Sequence, residues 1–158
     1  MSQSQNFQPP APDSFTEAPA PAPAASGNIG LGIVAAVVAA LVIGAIYGAI
    51  IGATKYEIGY AAIAVGAVIG LAAGKIGGRN PLLPVISVLL ALAAVLGGQM
   101  FGMAMITADE AGVSTTDVLN LGISLLFDGW KENADPMTFL FFAVGGYAAF
   151  QTARKTAA

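Results

Sequence analysis

Few side chains in this sequence can do chemistry. Histidine and cysteine are both absent, which removes the commonest general base, the commonest metal ligand and all thiol chemistry. A serine–histidine hydrolase site and haem ligated by histidine are thereby excluded. What is left is carboxylates, one isolated amide and some thioethers. Glu57 stands two positions from Lys55 between long apolar runs, where pairing with that lysine or a place at the lipid headgroups is expected. Gln99 is the one strongly polar side chain in a third apolar run. An amide in lipid hydrogen-bonds to a neighbouring helix or lines a pathway, and structural bonding is the reading adopted. Asp109, Glu110, Asp117, Asp128, Glu132 and Asp135 face a single base, Lys131. Calcium needs six to eight oxygens from a loop of defined spacing. These acids lack that spacing and read as a solvated face. Met100, Met103 and Met105 around Phe101 read as flexible packing, since copper would want converging ligands. No catalytic residue, metal site or cofactor is expected, and the chain does not read as an enzyme.

The elements that carry these residues are apolar. The chain has 158 residues, 56% hydrophobic and 9% charged, with mean hydropathy +0.76. Soluble domains are about 25% charged, so the composition points to a polytopic membrane protein. Four runs are assigned as spans: 29–53, 58–76, 82–106 and the shorter 137–153. About 20 apolar residues cross a bilayer. The last run is aromatic, with Phe139, Phe141, Phe142, Tyr147 and Phe150, and spans only if it continues toward Arg154.

Small residues recur every fourth position, which places them on one helix face. The first run carries Gly44, Gly48 and Gly52, extended upstream by Ala36 and Ala40. The second carries Ala62, Gly66, Gly70, Gly74 and Gly78. The third carries Ala94, Gly98 and Gly102. Such faces let backbones approach closely in lipid. With so short a corner at residues 54–57, the first two stripes are expected to pack against each other.

Residues 107–136 form an acidic loop. Ser114 and Asp117 fit a capping box. Beyond them Asp117, Asn120, Ser124, Asp128 and Lys131 share one helical face, and Leu119, Ile123, Leu126 and Trp130 the other. The pattern predicts one amphipathic helix at the membrane interface, anchored by Trp130. Residues 1–28 hold six of the nine prolines and read as a disordered, solvated tail, without the basic start of a secretory signal. Lys75, Arg79, Arg154 and Lys155 fall on one side of a four-span arrangement, Lys55 and Lys131 on the other. The positive-inside rule then places both termini in the cytoplasm.

The stretch Tyr56-Glu57-Ile58-Gly59-Tyr60, followed by Val65-Gly66 and Ile69-Gly70, resembles a pattern in small uncharacterised bacterial membrane proteins. Some of these carry a zinc ribbon ahead of the helices, for which this chain has no cysteines. The resemblance covers about residues 50–80 and implies a bacterial inner-membrane location without an activity. The expected fold is thus all-α, a four-transmembrane-helix bundle with glycine-zipper packing. Its expected partners are the lipid bilayer and a membrane protein or a second copy, with no nucleic acid. The expected role is that of a structural or interaction protein. The alternative is an oligomeric channel or small transporter. Small multidrug exporters depend on a glutamate within the first helix, and residues 29–53 hold no acid.

Overall fold

The computed structural model describes residues 27–157 as six helices and no strand: α1 Ile29–Thr54, α2 Ala61–Gly77, α3 Leu82–Ala111, α4 Thr115–Asn120, α5 Ile123–Asn133 and α6 Pro136–Thr156. The proline-rich tail expected over residues 1–28 lies outside the described residues apart from Gly27 and Asn28. Two helices, α1 and α3, are long and apolar enough to cross a membrane. α2 is a shorter apolar helix of 17 residues.

Each boundary has a local cause. Asn28 caps α1, its side chain accepting from the Leu31 N–H at 3.3 Å. Lys55 ends the helix in the left-handed region at φ 58°. The second apolar helix begins at Ala61 rather than near residue 58, because residues 55–60 are spent on an extended connector and a turn. Pro81 and Pro84 fall at the start of α3, where a missing N–H costs little. α3 runs past the end expected at residue 106, through Asp109 and Glu110, to Gly112. Acids do not break a helix, whereas Gly112 takes φ 68° and closes it. The single amphipathic helix expected over the acidic loop is two helices. Gly122, at φ 112°, breaks the pattern between α4 and α5. Ser114 and Asp117 form a reciprocal capping box on α4, and Asp135 and Thr138 form another on α6.

The shortness of the first corner led to the expectation that the first two stripes face each other, and they do not. They pair with later helices, in parallel. A Cβ on Gly44 would meet the Ala94 carbonyl oxygen at 3.1 Å, and one on Gly48 the Gly98 oxygen at 2.5 Å. One on Gly52 would meet the Met105 Cβ at 2.7 Å. From the other side, a Cβ on Gly98 would lie 2.9 Å from the Gly44 oxygen, and one on Gly102 would lie 3.0 Å from the Gly48 oxygen. α2 turns its stripe to α6: Gly66 abuts the Gly145 carbonyl, Gly70 the Ala149 carbonyl, and Gly74 the Ala153 carbonyl. α1 and α2 touch closely at the end far from their connector, where Gly32 meets Gly77. A helix has one such face, and α3 and α6 offer matching small residues at the same spacing. The bulky side chains therefore point outward: Leu31, Val34, Val38, Leu41 and Val42 of α1 are all more than half exposed.

Candidate functional site

Polar side chains converge at the end of the bundle where α1 finishes and α5 crosses. Gln99, buried on α3, anchors them. Its Nε2 donates to Glu57 Oε1 from the connector, and its Oε1 accepts from Trp130 Nε1 of α5 at 2.8 Å. An amide has both a donor and an acceptor end. Gln99 uses each on a different element, so one side chain ties α3, the connector and α5 together. The structure thus brings together Glu57, Gln99 and Trp130, which lie far apart in the chain.

Trp130, expected as an interfacial anchor, is half-buried at this end of the bundle. Its indole turns inward, stacked on Phe127 at 5.7 Å and edge-on to Phe142 at 5.9 Å and Phe139 at 6.4 Å. A buried indole N–H needs an acceptor, and Gln99 provides it. Of the other residues expected on that apolar face, Leu126 is buried, while Ile123 and Leu119 are exposed.

Glu57 does not pair with Lys55. That lysine reaches Asp109 at 2.7 Å, with both side chains exposed, which raises the lysine pKa and lowers that of the aspartate. Glu57 has no cationic partner among the described residues. Partial burial pushes its pKa up, and the Asp135 carboxylate adds to the rise, while the Gln99 hydrogen bond opposes both. The carboxyl group faces two cavities. One, of about 460 Å³, is shared with Gln99, Trp130, Met103, Lys55 and Glu110. The other, of about 260 Å³, is shared with Gly59, Asp135, Thr138 and Phe141. No cluster of three metal-ligating side chains occurs among the described residues. A carboxyl beside a cavity can exchange a proton or hold a cation.

Two features were missed by sequence reasoning. Tyr47 is buried against Gly98, and its hydroxyl finds no hydrogen-bond partner among the described residues. Its position one helical turn from Gly44 and from Ile51 was the available signal. The other is the α6 stripe of Gly145, Ala149 and Ala153. The glycines singled out on α1, α2 and α3 lie along the two helix seams, away from the Glu57 cavities. Compared with known proteins, the chain matches no family model, no curated protein and no solved structure.

Proposed function

We propose that this chain is a multi-pass protein of a bacterial inner membrane that works as a structural or interaction protein. In this reading four helices span, packed through glycine zippers. α1 and α3 run parallel along one seam, so a chain that crosses in both must return between them, and α2 is the segment available. Its 17 residues cover about 25 Å, and the connector adds the rest. α6 lies parallel to α2 along its stripe, and its 21 residues reach about 31 Å, near the thickness of the hydrocarbon core.

The observation that carries the interaction role is an uncovered groove beside the α1/α3 seam. Leu41, Ala45, Ala93, Gly97 and Phe101 line this hollow of about 260 Å³. A Cβ on Gly97 would meet nothing within 4 Å. Gly97 is thus a small residue on a transmembrane seam that no described helix fills, and small outward residues are where another helix approaches in lipid. Replacing Gly97 with leucine puts the new Cβ in open space and the rest of the side chain into the groove. Chemical crosslinking in native membranes should trap a larger assembly for the wild type and lose it for Gly97→Leu at unchanged thermal stability. A wild type that crosslinks to nothing contradicts the reading.

The Glu57 cavity favours a second reading, an oligomeric channel or small transporter. Its test is cation or proton flux in proteoliposomes. Flux abolished by Glu57→Gln would replace the structural reading with this one.

A further inference from the structure

Where α1 begins, the bundle end carries bases and, among the described residues, no acid. Lys75 closes α2, Arg79 lies in the α2–α3 turn, and Arg154 and Lys155 end α6. The two arginines line one cavity of about 530 Å³, walled by Pro81, Pro84 and Phe150. The Arg154 guanidinium lies over the Phe150 ring, 5.6 Å from its centroid, which steadies the plane of the fork and leaves its N–H edges free. Neither arginine forms an ion pair with a described residue. The backbone at the start of α3 takes no part: the Leu82 N–H is held by Asn80 Oδ1 at 2.9 Å, the Leu83 N–H by the Asn80 carbonyl at 3.2 Å, and Pro84 has none.

Two guanidinium forks on one open cavity suit a tetrahedral oxyanion, which each can grip with two parallel hydrogen bonds. The proline and phenylalanine walls suit a group with an apolar side. We propose that this cavity binds a phosphate group, supplied either by the headgroup of an anionic phospholipid or as free phosphate. The lipid source rests on the membrane reading above; the phosphate chemistry does not. Basic pockets between transmembrane helices on the cytoplasmic side take such headgroups, and the positive-inside rule assigns this end to that side.

The test uses the full chain in mild detergent. Native mass spectrometry compares retention of dioleoylphosphatidylglycerol with that of dioleoylphosphatidylcholine, and calorimetry titrates inorganic phosphate. The wild type and the control Lys75→Gln/Lys155→Gln should favour the anionic lipid by about tenfold. Arg79→Gln/Arg154→Gln should fall to the phosphatidylcholine level. Should the double variant fail to fold, Arg79→Gln alone should lose severalfold. Arginine-dependent binding of inorganic phosphate without a lipid preference supports the site and names free phosphate as its source. The proposal is overturned if neither probe binds the wild type, or if the arginine variants bind as the lysine control does. Release of the chain from membranes by alkaline carbonate would sink the membrane reading instead, leaving the phosphate titration to stand alone.

Discussion

Gln99 is the residue on which the polar end depends. Replacing it with leucine removes the donor to Glu57 and the acceptor for Trp130 together. A part-buried indole N–H without a partner costs about 1–3 kcal/mol, so Gln99→Leu should lower stability by that order, read as a drop in thermal midpoint in detergent. Trp130 is the single tryptophan, so its fluorescence reports the site directly. Gln99→Leu should shift the emission, and an unchanged spectrum would contradict the Gln99–Trp130 bond. Glu57 makes a separate prediction through pH. Its folded-state pKa lies above the ordinary 4.5, so the native state takes up a proton more readily than the unfolded chain. Acidification from neutral pH toward 4.5 therefore stabilises the wild type through this group. Asp109, Asp117 and Asp135 act oppositely, their pKa values being lowered from 3.8, so their contributions are lost only as pH falls below that value. The wild type should gain stability relative to Glu57→Gln between pH 7 and 4.5. A pH-independent difference between the two would refute the assignment. The sequence marked both Glu57 and Gln99 as exceptional because each interrupts an apolar context. It did not reveal their pairing, since 42 residues separate them and only the packing of α3 against the connector closes that distance.

At the scale of elements, the four-residue spacing identifies the packing face of a helix but not its partner. Gly44, Gly48 and Gly52 were legible as a stripe. That they meet α3 rather than α2 depends on which neighbour offers small residues in register, and a short connector does not decide this. The same limit applies to Trp130: periodicity placed it on the apolar face but did not name its partners, Gln99 on α3 and Phe139 and Phe142 on α6. The seams predict a contrast between glycines. Gly48→Ala puts a Cβ 2.5 Å from the Gly98 carbonyl oxygen, so the two backbones must separate, at a cost of about 1–3 kcal/mol. Gly97→Ala, one position along α3 from Gly98, meets open space and should be tolerated. Thermal unfolding of the two variants side by side checks this, and equal midpoints would show that α1 and α3 are not in backbone contact at Gly48.

For the molecule as a whole, the ends differ sharply in charge. Glu57, the acids of α3, the acidic helices α4 and α5, and Asp135 gather at one end. Lys75, Arg79, Arg154 and Lys155 gather at the other, with an uncharged apolar belt between. Composition and run length made the helical class and the apolar belt readable without coordinates. By length and hydropathy α1 and α3 stand out as candidate spans, whereas α2 is short and α6 carries a polar end. In the proposed arrangement α1, α2, α3 and α6 all cross, with these two ends on opposite faces. Because the chain lacks cysteine, single cysteines can be placed at exposed sites and labelled with a membrane-impermeant maleimide in intact spheroplasts and in inverted vesicles. Tyr56→Cys and Glu132→Cys should label from the periplasmic face, and Arg79→Cys and Lys155→Cys from the cytoplasmic face. Labelling of Glu132→Cys and Lys155→Cys from the same face would show that α6 does not cross, and the four-span account would fail.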